Sequence, residues 1–423
     1  MAKTISTLLF TVLFTLTASA LAGGQFYREY WAEFDENISN HPDGRWRVND
    51  ETLSLHENFG HRVEAKANGL MLVNVPEDLF GLDGAELYLE LWGGHGKTEK
   101  KRFYLNGRGP YLLPLTGTEE GHETYSYPVI PLKVHNMVNG VNAIQFAASR
   151  DQSFWGHFII DNAAVRCILK PDHEDLAEAG LDQFQAVPVT RDGKKVLGDR
   201  ARIVLETGAG FHEMIESVDY YGLYLGFDDN GSCRELDWHG FTFGREPVNH
   251  LGTAAEAPFE IEWDTSMLPD QGAPMSVRAV VHFSNGLKYR TPLLRGLEFP
   301  PDRAKIQLYR CYEMPVPFHS RVSREAVAKF YLPETIADME RAQLWIKTWD
   351  GGEGTVKEPF KINGHPYNVI SGQHIHDVVF TVAGIEREHL RSGVNEIRLL
   401  SDTEHHGIEI LLPGPCIIVR YKR

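Results

Sequence analysis

The feature that most constrains this chain is a stretch that occurs twice. Ala85-Glu86-Leu87-Tyr88-Leu89-Glu90-Leu91-Trp92-Gly93-Gly94, followed by Phe103-Tyr104-Leu105-Asn106-Gly107, returns as Ala342-Gln343-Leu344-Trp345-Ile346-Lys347-Thr348-Trp349-Asp350-Gly351, followed by Phe360-Lys361-Ile362-Asn363-Gly364. The offset is 257 residues at both ends (342 − 85 and 363 − 106). A strand of period-2 alternation, a Trp-bearing loop and a second strand ending in Asn-Gly form one supersecondary unit, so the chain carries that unit in duplicate. The match extends outward. Phe59–Val63 and Val75–Leu79 answer Phe318–Val322 and Leu332–Ile336, and Gly140-Val141-Asn142-Ala143-Ile144 answers Gly393-Val394-Asn395-Glu396-Ile397. The alternation puts Leu87, Leu89 and Leu91 inward and Glu86, Tyr88 and Glu90 outward.

Strands bounded by Gly, Asn and Pro, without interleaved helices, predict β-sandwiches. Only two short helical stretches are expected, Asp172 to Ala179 and Ile385 to Arg391. The order of apolar strand, Trp loop, strand, Asn-Gly turn, long loop and Gly-x-Asn-x-Ile strand resembles the galactose-binding-like jelly roll. The telling residues are Gly140/Asn142/Ile144 and Gly393/Asn395/Ile397. That resemblance implies sugar-binding modules of the kind attached to glycoside hydrolases. In the Gly-x-Asn element, Asn can adopt positive φ and hydrogen-bond its own backbone to redirect the chain.

Between the copies the texture changes. The acidic turn Asp228-Asp229-Asn230-Gly231, the strand Phe259–Asp264 and a hairpin at Asn285-Gly286 are similar to bacterial Ig-like or fibronectin-type sandwiches. The expected architecture is all-β, three sandwiches in the order jelly roll, Ig-like, jelly roll. Their expected spans are 23–172 (with an N-terminal aromatic arm), 187–297 and 303–423.

Lys3, an apolar run from Ile5 to Leu16 and the small residues Ala18 to Ala22 have the layout of a secretory signal peptide over 1–22, cleaved after Ala22 or Ala20. No later stretch is long and apolar enough for a transmembrane segment. The four cysteines, Cys167, Cys233, Cys311 and Cys416, form no C-x-x-C, and their pairing is open. With 42 basic and 58 acidic residues the net charge is −16, which argues against nucleic acid and favours neutral or cationic ligands, or calcium.

Aromatic and histidine-bearing loops are the leading ligand candidates: Trp92, His95, Trp155 and His157 in the first copy, and Trp349, Asp350, His405 and His406 in the second. Indole rings stack on the C–H faces of sugars while polar neighbours take the hydroxyls. Trp92 and Trp349 recur in both copies and so also read as buried strand-end residues; Trp155 belongs to one copy alone. Asp228, Asp229 and Asn230 offer a calcium loop, which equally reads as a hairpin turn. His374-x-His376 and Glu404-His405-His406 offer metal ligands without a third partner at diagnostic spacing. No nucleophile elbow, H-E-x-x-H or catalytic Cys setting appears. His212-Glu213 and Asp237-Trp238-His239 hold acid–base groups that a solvated strand face would also explain.

The expectation is a secreted protein that recognises extracellular carbohydrate or polysaccharide through its jelly-roll loops. No cofactor is expected to be required, and structural calcium at the acidic turn is the leading candidate ion. The alternatives are a polysaccharide hydrolase or lyase with a site at a domain junction, drawing on His157, Asp237 and His239, and a structural or adhesive cell-surface protein.

Overall fold

Alternating apolar residues become strands nearly throughout. The computed structural model describes residues 23–32, 46–48, 70–94, 98–114, 124–148, 158–322, 324–372, 377–403 and 407–423, and its architecture is all-β. The largest sheet has twelve strands. Its main path runs from Leu236–His239 through Ile215–Leu225, Met275–Phe283, Lys288–Arg290, Gln25–Trp31, Phe158–Leu169 and Leu82–Trp92 to Tyr125–Ser126.

The aromatic arm is the joint of this sheet. Tyr27 to Trp31 pair antiparallel with Ile168 to Ala164 on one edge, and Gln25 to Tyr27 pair with Arg290 to Lys288 on the other. Hydrogen bonding therefore runs unbroken from the first expected unit into the second. Phe26 explains why the arm docks: its ring lies 4.8 Å from Tyr289, 5.9 Å from Phe184 and 6.0 Å from Phe283. Burying such a ring contributes about 1.5–3 kcal/mol. One apolar core extends from Phe26 to Leu297, and a second is confined to Phe318–Tyr421.

The matched stretches also share a second sheet of four strands. Its order is Leu70–Val75, Gly140–Ala147, Arg102–Leu105, Arg108–Leu112 in one, and Arg324–Leu332, Gly393–Ser401, Phe360–Ile362, His365–Pro366 in the other. The two repeated asparagines of each copy meet there. Asn106 Nδ2 donates to Asn142 Oδ1 at 2.9 Å, and Asn363 Nδ2 donates to Asn395 Oδ1 at 2.7 Å. Positive φ belongs to Asn106 and Asn363 (50° and 49°) and to Gly140 and Gly393, whereas Asn142 and Asn395 sit in the strands. Asn142 also accepts from the Val138 N–H and donates to the Val138 and Gly140 carbonyls; Asn395 repeats this with Arg391 and Gly393. Both side chains are fully buried. Truncation strands every one of these partners, so Asn142→Ala and Asn395→Ala are each expected to cost about 2–3 kcal/mol in urea unfolding. A loss in only one copy would show that the bracket does not have the same weight in both.

The expected outward face of Leu82–Trp92 is not solvated. Tyr88 and Glu90 are buried at 5% and 1% exposure, because the hairpin of Phe241–Phe243 and Glu246–Val248 seats on them through Thr242 and Arg245. The expected helices shrink to one short α-helix, Glu174–Glu178, and a 3-10 turn, Arg387–His389. None of the four cysteines forms a disulfide.

Candidate functional site

The sequence candidates separate into three groups. His95, Trp155, His157, His374, His376, Glu404, His405 and His406 lie outside the described residues. Trp92 is the last residue of its strand and is 9% exposed, packed with Tyr125, Ile159, Val378 and Leu411 from both matched units. It thus serves as an interface residue with little face left for a sugar. Trp349 is half-buried, and Asp350 is wholly buried, its carboxylate accepting from the Ser371 N–H at 3.1 Å and from the Ser371 hydroxyl.

The acidic turn does not fit a cation. Asp228 accepts from the Ser232 and Cys233 N–H groups at 3.0 and 2.7 Å, and Asn230 Oδ1 accepts from Ser232 N. Asp229 Oδ1 faces His239 Nδ1 at 2.9 Å, and its Oδ2 accepts from Gly240 N and Asn249 Nδ2. Hydrogens, rather than open space, point at these oxygens. His239 Nε2 faces the Tyr224 carbonyl at 3.0 Å, and its ring stacks on Tyr224 at 3.6 Å. Both ring nitrogens meet acceptors, an arrangement that the protonated imidazolium satisfies on both sides. Burial favours the neutral forms of both partners, but their mutual attraction overrides it: His239 is raised above 6.5 and Asp229 lowered below 3.8. Asp237 accepts from the Ser232 hydroxyl and the Trp238 N–H. His212 and Glu213 lie in a 3-10 turn rather than a strand.

Behind this pair lies Lys347, the counterpart of Glu90 at the 257-residue offset and likewise 1% exposed. Its ammonium donates to the Asp229 carbonyl and sits 4.3 Å from the Phe241 ring and 5.0 Å from Tyr127. Burial, partly opposed by Asp229 and Asp228, lowers its pKa to about 8.

The group with open chemistry lies on the polar face of the twelve-stranded sheet, where six strands converge. Cross-strand partners share a face. Glu86, Arg166 and Glu29 form one row, Tyr27, Lys288 and His282 a second, and Tyr221 pairs with Arg278. Arg166 and Lys288 grip Glu29 at 2.7 and 2.6 Å, and Arg290 holds Glu86 at 3.0 Å. Burial alone would raise Glu29, but the two cations hold its pKa down at about 2. Guanidinium groups lie over rings: Arg166 over Tyr88 at 4.1 Å, Arg278 over Trp238 at 4.3 Å, and Arg245 over Trp31 at 5.4 Å.

At one end Asp219 accepts from His282 Nε2 at 2.8 Å and from the Thr253 hydroxyl at 2.6 Å. The Thr253 oxygen in turn accepts from His250 Nε2 at 2.7 Å. At the other end the 241–248 hairpin is the wall. Its turn takes positive φ at Gly244 and Arg245, and Arg245 is anchored to Asn162 and to the Ala32 carbonyl at 3.0 Å. Trp31, Tyr221 and Trp238 remain partly exposed along this floor. Rings beside oriented donors and acceptors are suited to saccharides. In sequence these residues are ordinary alternate positions on separate strands; only the sheet order brings them together.

No protein-family model matches the chain, and no curated protein matches it. Solved structures with some likeness include a β-porphyranase of glycoside hydrolase family 86 from the human gut bacterium Bacteroides plebeius. It is 13% identical with a TM-score of 0.23, over 56% of this chain and 36% of that one. BuGH86 in complex with neoagarooctaose gives 11%, 0.23, 53% and 33%. An exo-β-1,3-galactanase from Phanerochaete chrysosporium gives 8%, 0.17, 56% and 56%. The chain spans about a third of the length of the two family 86 enzymes. Among the described residues, no helix is long and apolar enough to cross a membrane.

Proposed function

We propose that the protein is a secreted carbohydrate-binding protein and that the polar face of its twelve-stranded sheet, rather than its jelly-roll loops, takes the saccharide chain. The observation that supports this is the alternation on one rigid face of partly exposed Trp31, Tyr221 and Trp238 with Arg166, Arg278 and Lys288, whose positions are fixed by ion pairs or ring contacts. Rings receive the sugar C–H faces and the fixed polar groups receive hydroxyls, so little side-chain entropy is lost on binding. A polysaccharide array probed with the chain from Gly23 tests the reading. Trp238→Ala is expected to weaken any retained polysaccharide about tenfold, the order of one aromatic platform, with unfolding little changed. Unaltered binding by that variant would remove the face from consideration.

A second reading rests on the Asp219–His282 contact, which puts an oriented imidazole on the same face. Such a group suits general acid–base cleavage of a polysaccharide. Release of reducing ends or unsaturated products from a retained polymer, abolished in His282→Gln, would establish an enzyme; binding without product would leave a binding protein.

A further inference from the structure

We infer that the saccharide taken by this face carries a negative charge, a carboxylate or a sulfate ester, and that Arg278 is its receptor. This rests on the carbohydrate reading above and narrows the class of sugar. The chain as a whole is strongly acidic, but the sheet order gathers a local surplus of cations. Around Arg278, the cations Arg166, Lys288 and Arg290 stand against Glu29 and Glu86. The face's other carboxylates, Asp219 at one end and Glu90 under the hairpin, are taken by His282 and Thr253 and by Asn162, Thr242 and the Arg245 N–H. Glu29 is taken by two of the cations, and Glu86 by Arg290, which approaches both its oxygens at 3.0 and 3.4 Å.

Arg278 is what remains. Among the described residues it has no carboxylate partner within ion-pair distance, and its Nε is buried without a hydrogen bond. Trp238 holds the guanidinium flat at 4.3 Å. Arg295, exposed on the neighbouring strand, pairs with Ser276, two residues from Arg278 on the same face, and adds to the positive field. Burial together with Arg290 lowers the Arg278 pKa to about 10, so the site disfavours its own cation. A guanidinium fixed on an indole, without a carboxylate partner and with like charges beside it, is completed by a planar or tetrahedral oxyanion. Hydroxyl groups alone would leave the surplus charge uncompensated.

The test is titration of the chain from Gly23 against four polymers: polygalacturonate, its neutral methyl ester, dextran sulfate and dextran. A broad array of neutral glycans runs beside them. The expected result is retention of polygalacturonate or dextran sulfate at least about tenfold tighter than its neutral counterpart, the two arms separating carboxylate from sulfate. Arg278→Gln should lose about tenfold or more in that affinity, with Arg278→Lys recovering part of it because the charge returns without the planar fork. Val280→Glu, which places an internal carboxylate two residues away on the same strand face, should give the same loss and serves if Arg278→Gln fails to fold. Equal binding of charged and neutral polymers, full affinity in Arg278→Gln or Val280→Glu, or binding confined to neutral glycans would overturn the inference while leaving carbohydrate binding intact. Failure to retain any glycan overturns both.

Discussion

Replacing Asp229 by Asn is expected to lower the unfolding free energy by about 3–5 kcal/mol at neutral pH, the range for removing one partner of a buried ion pair. The substitution keeps the shape and loses the charge. One side of the new amide must present its NH2 either to His239 or to the Gly240 and Asn249 donors that now bond the carboxylate, so donors face donors. The pH dependence supplies a second readout. His239 is raised in the fold, so its contribution is complete below about 6.5 and is lost as pH climbs through the raised value. Asp229 is lowered, so its contribution is present above 3.8 and is lost as pH falls through the lowered value. Wild-type stability should therefore show a plateau with an acidic and an alkaline shoulder, and Asp229→Asn should flatten both. Urea melts at closely spaced pH values measure this. A variant within about 1 kcal/mol of wild type would show that the pair adds little beyond packing.

Lys347 should act with the opposite sign. Its pKa falls from 10.5 to about 8 in the fold, a gap of about 3 kcal/mol. Below pH 8 both states carry the charge and the fold bears its burial. Between pH 8 and 10.5 the folded state releases its proton first, the unfolded state binds more protons, and stability rises with pH. Lys347→Met replaces the ammonium with an apolar chain of similar length among Phe241, Tyr127 and Tyr125. It should be at least as stable as wild type at pH 7. The difference between the two proteins should then move by about 3 kcal/mol in favour of wild type as pH rises to 10.5. Taking the difference cancels the alkaline shoulder of His239, which both share. Parallel stability curves would mean that the ammonium reaches water and is not buried as described.

The strand pattern was legible in the sequence because period-2 alternation records which face is dry. Leu87, Leu89 and Leu91 were read inward and are buried. The same rule failed for Tyr88 and Glu90, since alternation within one strand cannot register that a distant hairpin, 241–248, will cover the other face. Asn106, Asn142, Asn363 and Asn395 were visible as repeated letters, but their bond to one another across 36 and 32 residues was not. The polar face of the large sheet was hidden for a related reason. Glu29, Glu86, Arg166, Arg278 and Lys288 come from five strands whose neighbours are set by the docking of an N-terminal arm that could equally have hung free. Trp92 illustrates the converse: a residue conspicuous in sequence is conspicuous because the fold needs it.

The arm's position also sets a timetable. Gln25–Trp31 is the first described strand to be synthesised, yet one of its two partners, Lys288–Arg290, is made roughly 260 residues later. At 5–20 residues per second that interval is on the order of 13–50 s. The earlier partner, Phe158–Leu169, can close one edge meanwhile, but the other must stand open, with Phe26 short of Phe283 and Tyr289, until the middle unit arrives. A fragment ending before Lys288 would keep that edge open indefinitely, ready to pair with a stranger. The two units therefore mature as one.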